Sequence, residues 1–171
     1  MWKKLQEKFD KTPSQMEVVR KMVYLGLSVK VDDEGNAHIF CSNIEIKPAS
    51  LANAVGVDRR AVIGTLKKIT GDQQMLDFFT RLSPIANLSV SSGYMGMGVI
   101  QIVPDYADRP GIIAGVLSVI ASAGIKVRQV IADDPEISDD PKAYVVTNEP
   151  IPAGLLTKLR QVTGVRALVI M

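Results

Sequence analysis

Residue types that do chemistry are scarce in this chain, and their placement excludes more than it offers. His38 is the sole histidine and Cys41 the sole cysteine among 171 residues. No zinc cluster and no histidine-based triad can be assembled from them. A catalytic site would have to rest on carboxylates, lysine, tyrosine or serine, and nothing in the sequence clusters those. The acidic stretch "ADDPEISDDP" gathers Asp133, Asp134, Glu136, Asp139 and Asp140, but it lacks the glycine and the spacing of a calcium loop. It reads as a solvated hairpin tip. "GYMGMG" carries wrongly spaced glycines with no helix after them, so it is no dinucleotide fingerprint. The chain is read as a non-enzyme holding neither metal nor cofactor.

Two stretches remain that can recognise something. In "VDRRAVIGTLKKI", Asp58 can open a helix on which Arg59, Arg60, Ile63, Lys67 and Lys68 point away from the core. Arginine forks and lysine ammonium groups on such a face suit phosphates or base edges. In "DRPGIIAGVLSVIASAGI", Asp108 stands at a helix entrance, Pro110 suits the first turn, and Gly111 clears the corner of side chain so that a ligand can approach the backbone. Amide groups at a helix start attract anions, and an amino acid's carboxylate is one.

The elements that position these stretches follow from periodicity. "MWKKLQEKFDK" reads as a short amphipathic helix bearing Trp2, Leu5 and Phe9, and it has no signal-peptide core. Ser14 with Glu17 makes a capping-box signature for a helix carrying Met16, Val19 and Val23, with Val18, Met22 and Leu25 on the adjoining rows. "SVKVDDEGNAHIFC" alternates about a turn and predicts a hairpin, after which "NIEIKPAS" leads into another helical region. "DQQMLDFFTRL" predicts a helix with Leu76, Phe79 and Leu82 inward. Ser, Gly and Pro then break the pattern, which places a linker at residues 83–97.

Beyond the linker the pattern predicts strand 99–103, helix 110–123, strand 125–132, strand 143–147, helix 152–162 and strand 165–170. That βαββαβ order predicts a ferredoxin-like sandwich. The charge is about +3 over residues 1–90 and about −1 over 91–171, consistent with different partners for the two halves. The total of +2 is too small to imply nucleic-acid or membrane binding by itself. With one cysteine there is no internal disulfide framework. The apolar uncharged run Pro110 to Ile125 is shorter than the roughly 20 residues that cross a bilayer. A cytoplasmic protein without membrane contact is the expectation.

Small Ala52, then Gly56 four positions on and Val62 six beyond that, resemble the helix-turn-helix spacing, with Leu51, Val55, Leu66 and Ile69 as further anchors. With the upstream hairpin and flanking helices, residues 1–82 resemble a winged-helix-like variant. Gly64 in mid-helix and Thr65, where an aliphatic is common, depart from that pattern. Residues 98–171 resemble the ACT domain, a small-molecule-binding regulatory module, in element order and in the corner motif quoted above. The resemblance implies an amino-acid effector held between two copies. One copy would present Asp105, Tyr106, Ala107, Asp108, Arg109, Gly111 and Ile112, and the neighbour Lys126, Val127 and Arg128. Lys126 stands where the family often has Asn, and "PDYADRPG" is a longer corner than its commonest form.

The whole chain looks most like predicted regulators of amino-acid metabolism that join a helix-turn-helix region to an ACT domain. The expected protein is α+β and a homodimer or higher oligomer through its ACT domain. An amino acid bound there would alter the spacing of two DNA-reading helices. The rival expectation is a regulatory subunit that docks on a biosynthetic enzyme and uses the first domain as a protein-binding surface.

Overall fold

The computed structural model describes residues 1–171. The chain divides into two compact units, Met1–Ala86 and Asn87–Met171, each with its own core. In the first unit the order is α1 (Trp2–Phe9), α2 (Pro13–Leu25), β1 (Ser28–Val31), β2 (Ala37–Cys41), β3 (Ile44–Ile46), α3 (Pro48–Val55), α4 (Arg59–Thr70) and α5 (Gln73–Thr80).

Trp2, Leu5 and Phe9 are buried along α1, as their spacing requires. Helix α2 starts at Pro13 behind Thr12, so Ser14 lies inside it and the expected capping box does not form. Proline, with its fixed φ and no N–H to leave unpaired, takes the first helical position instead. The helix buries Val18, Val19 and Met22. Leu25, expected on an inward row, is exposed. The expected hairpin is a three-stranded antiparallel sheet, because Ile44–Ile46 folds back on β2 with Ile46 opposite Ile39. Helix α5 buries Met75 and Phe79, with Leu76 and Leu82 at its margins. Asp72 caps the helix by accepting the Met75 N–H at 3.2 Å.

Helices α3 and α4 meet across a three-residue turn and form the helix-turn-helix of a winged-helix-like unit. Gly56 has φ +75° and donates its N–H to Ala52 O at 2.9 Å, while the Val57 N–H reaches the same carbonyl at 3.0 Å. This closes α3. Asp58 then caps α4 by accepting the Arg60 N–H at 2.8 Å. Leu51, Ala52, Val62, Leu66 and Ile69 are buried where the motif needs them. Both departures from the pattern have local reasons. A Cβ on Gly64 would run into the side-chain amide of Gln15 on α2, so the glycine leaves room for that amide. Thr65 is fully buried and donates its hydroxyl to Ala61 O at 2.8 Å, which satisfies the group a buried aliphatic would not have.

The second unit opens with residues from the expected linker. The Leu88 N–H donates to Gln129 Oε1 at 2.9 Å, and a 3-10 turn follows at Ser92–Met95. Then come β4 (Gly98–Pro104), α6 (Ile112–Ser122), β5 (Val127–Ala132), β6 (Ala143–Thr147), α7 (Ala153–Arg160) and β7 (Val165–Ile170). The strands run in the order β5-β6-β4-β7, and every neighbouring pair is antiparallel. This is the ferredoxin-like sandwich. Ile100, Ile102 and Val145 face the helices and pack with Ile112, Val116, Ile120 and Leu159. Gly115 lets α6 approach Val162, whose Cγ1 would lie 2.6 Å from an added Cβ. No helix of the chain is long and apolar enough to cross a membrane.

Candidate functional site

Two surfaces, one in each unit, carry the residues expected to recognise a partner. On α4, Arg59, Ile63 and Lys67 follow at intervals of four and so form one stripe. Arg59 and Lys67 are exposed, and Ile63 is half-buried. The other two basic residues are engaged. Arg60 Nε donates to Asp58 Oδ1 at 3.0 Å, so its guanidinium turns back onto the helix's own cap. That pairing holds the Asp58 carboxyl below its usual value and raises Arg60. Lys68, expected to point outward, is half-buried. Its Nζ donates to Thr12 Oγ1 at 3.0 Å and to Lys8 O at 3.4 Å, and sits 4.9 Å from the Phe9 ring centroid. This ammonium ties α4 to α1, because the aromatic face and the carbonyl give it better partners than water alone does.

A further electrostatic cluster of the unit surrounds His38. Nδ1 lies 2.7 Å from Glu45 Oε1, and Nε2 lies 3.0 Å from Asp32 Oδ2. The hydrogen bond to Glu45, then that to Asp32, raises the imidazole's pKa. Asp32 in turn is lowered to about 2, chiefly by hydrogen bonds from the Asn36 side chain and backbone. The cluster links β2 and β3 to the turn that follows β1.

In the second unit the expected corner is assembled by β4, its following loop and the start of α6. The Asp105 N–H donates to Gly164 O at 2.9 Å, and its carboxylate pairs with the Arg109 guanidinium at 3.8 Å. Arg109 also lies over the Tyr106 ring at 5.7 Å, while Tyr106 remains largely exposed. Asp108 is exposed and makes no side-chain cap. Nor does Pro110 enter the helix. Gly111 precedes α6 in the left-handed region at φ +94°, so the helix starts at Ile112, two residues later than expected. Nothing lies within 4 Å of where a Gly111 Cβ would stand, so the corner is open on that side.

The other expected contacts, Lys126, Val127 and Arg128, lie at the far end of the same sheet. Val127 pairs with Thr147, which pairs with Gly98, whereas the corner follows Pro104. Six residues along a strand is about 20 Å. One copy therefore does not bring both groups together. Lys126 is held locally, its N–H donating to Asn148 Oδ1 at 3.1 Å, and the strand bulges at exposed Arg128.

Two contributors escaped the sequence reading. Gly164, at φ +91°, lies directly beneath the corner, where an added Cβ would meet Ile112 Cγ1 at 2.7 Å and Arg109 Cδ at 3.2 Å. The root of the acidic loop is ordered as well. The Asp133 N–H donates to Lys142 O at 2.8 Å, and the Lys142 N–H returns to Asp133 Oδ2 at 3.0 Å. Together with the corner this root encloses a cleft of about 40 Å³. The one available signal was the repeat of Asp-Asp-Pro at the two ends of "DDPEISDDP".

No protein-family model and no curated protein matches the chain. Among solved structures it is similar to the ACT domain of a GTP pyrophosphokinase from Chlorobium tepidum, at 20% identity over 44% of this chain and 96% of that one, with a TM-score of 0.35. It is also similar to the regulatory subunit of aspartate kinase from Thermus thermophilus, at 22% identity over 44% of this chain and 51% of that one, TM-score 0.34. The leucine response regulatory protein of Mycobacterium tuberculosis matches 92% of this chain and 90% of its own at 12% identity, TM-score 0.29. At scores this low the fold assignment stands on the strand order, the helix caps and the buried anchors of the chain itself.

Proposed function

We propose that this chain is an amino-acid-responsive regulator which binds duplex DNA through α4 and senses its effector at the corner between β4 and α6. The observation that carries the reading is the union, in one chain, of two incomplete recognition surfaces. One is a helix-turn-helix with an exposed Arg59–Lys67 stripe. The other is a βαββαβ unit whose first helix starts open and uncapped behind Gly111. Amides at such a start lack intrahelical partners and suit a carboxylate. Completion of the site by Lys126–Arg128 of a second copy requires a homodimer, the form that also sets two reading helices about 34 to 36 Å apart on DNA.

A second reading, docking on a biosynthetic enzyme, is favoured by one specific observation. Lys68 is engaged against α1, and Arg60, although exposed, is paired with Asp58, which leaves α4 less basic than its sequence suggests.

Thermal denaturation of the full chain against each of the twenty amino acids tests the sensing half. At about 100 times its dissociation constant an effector adds about 2.7 kcal/mol. For a unit of this size that is a rise of roughly ten degrees or more in the transition it binds. A flat response to all twenty would remove amino-acid sensing from the account.

A further inference from the structure

A groove between α2 and α3 lies outside the α4 stripe and carries charge of its own. Glu17, Arg20, Lys21 and Tyr24 line it from α2, Ala54 and Val55 from the last turn of α3, and the space between them is about 370 Å³. Spacings of three and four put the α2 residues on one face. The groove is open to solvent. A small molecule would stay mostly wet in it, whereas a polymer can lie along it.

The position of the groove follows from the packing of α2 on α4. Thr12 Oγ1 accepts from Lys68 Nζ at 3.0 Å, and the side-chain amide of Gln15 lies against Gly64. The two helices therefore run antiparallel. Lys21 stands nine residues beyond Thr12 and Arg59 nine before Lys68, so both come level at the entrance of α4. Val55 precedes that entrance by the three-residue turn. On α4, the row that runs along α2 is Arg60, Gly64 and Lys68, and the Arg59–Lys67 stripe is the row beside it. The groove thus continues the basic stripe onto a second helix.

Side-chain chemistry names the occupant. Lys21 Nζ lies over the Tyr24 ring at 5.8 Å and pairs with no carboxylate. Tyr24 is 74% exposed, so its hydroxyl is accessible as a donor. An ammonium group and a phenol beside the methyl groups of Ala54 and Val55 suit a sugar–phosphate chain, whose oxygens accept and whose sugars are largely carbon. The Ala52 and Asn53 carbonyls at the end of α3 already accept from Gly56 and Val57. Glu17 is the one carboxylate of the lining, and it opposes a phosphate.

We infer that this groove carries the sugar–phosphate backbone of duplex DNA, with Lys21 and Tyr24 donating to phosphate oxygens while α4 meets the duplex beside it. The inference rests on the DNA-binding reading above and extends its footprint to α2.

Fluorescence anisotropy of the full chain with a pool of labelled duplexes, over a salt series starting at about 50 mM, tests this. Lys21→Gln should weaken binding at least about threefold at the lowest salt and reduce the salt slope by about one per protomer. Tyr24→Phe removes a neutral donor, so it should weaken binding by about threefold and leave the slope unchanged. Glu17→Gln should tighten binding at least about twofold, a gain that a misfolded variant cannot give. Lys3→Gln is the control, because α1 packs at the other end of α4, and it should change neither affinity nor slope.

Wild-type affinity and slope in Lys21→Gln, with no gain in Glu17→Gln, would overturn the groove and leave the α4 reading intact. A loss as large in Lys3→Gln as in Lys21→Gln would do the same, since it would report net charge alone. No binding of the wild-type chain at the lowest salt would overturn the groove together with the reading it rests on.

Discussion

Gly164→Val is expected to cost the second unit about 3 to 4 kcal/mol. The two sources are distinct. A β-branched residue at φ +91° is strained by about 1 to 3 kcal/mol. Its Cβ must also displace Ile112, a buried side chain on the floor of the cleft, and overpacking of this kind costs about 1 to 3 kcal/mol. Because Gly164 O also accepts the Asp105 N–H, any backbone shift that relieves the clash disturbs the corner. Calorimetry of the full chain should show a transition lowered by roughly 15 °C. Gly154→Ala is the control. That glycine lies exposed in α7 with open space around it, and the exchange should raise stability by about 0.5 to 1 kcal/mol. If the two substitutions had similar small effects, the rigidity ascribed to the corner would be wrong.

The other large effect concerns α4. Arg59→Glu combined with Lys67→Glu reverses both exposed charges of the stripe while leaving the buried anchors Val62, Leu66 and Ile69 in place. Binding to duplex DNA at about 50 mM salt should fall at least about 100-fold, and the salt dependence should flatten by about two counterions per protomer. Lys68→Glu makes the informative contrast. Its ammonium is engaged with Thr12, Lys8 and Phe9, so its replacement should loosen α1 and lower thermal stability before it changes the salt slope. A double reversal with undiminished DNA affinity would place the nucleic-acid surface elsewhere or favour the enzyme-docking reading.

What the sequence made legible was whatever depends on near neighbours. The α3-turn-α4 unit is written within about twenty residues, through Ala52, Gly56, Asp58 and Val62, and each does what its local chemistry dictates. The βαββαβ order likewise shows in the switching of periodicity. Features decided over longer distances were not legible. Arg60 and Lys68 look alike in sequence to Arg59 and Lys67, yet Lys68 is claimed by partners 56 and 60 positions away. The strand Ile44–Ile46 is too short to display an alternation and is a strand because β2 pairs with it. At "DRPG" the competing signals were close in strength. Proline favours a helix start, but the left-handed torsion of Gly111 delays the helix to Ile112. Gly164 could be understood only once Ile112 was seen above it.

The central claim is that effector and DNA are coupled through one chain, and the affinity of the wild-type protein for duplex DNA reads that coupling most directly. Fluorescence anisotropy with a pool of labelled duplexes, over a series of salt concentrations, would be measured with and without each of the twenty amino acids. The account predicts salt-dependent binding whose dissociation constant shifts at least fivefold with one of them, the lower end of typical coupling between sites. Binding that is absent at low salt, or that no amino acid alters, would contradict it.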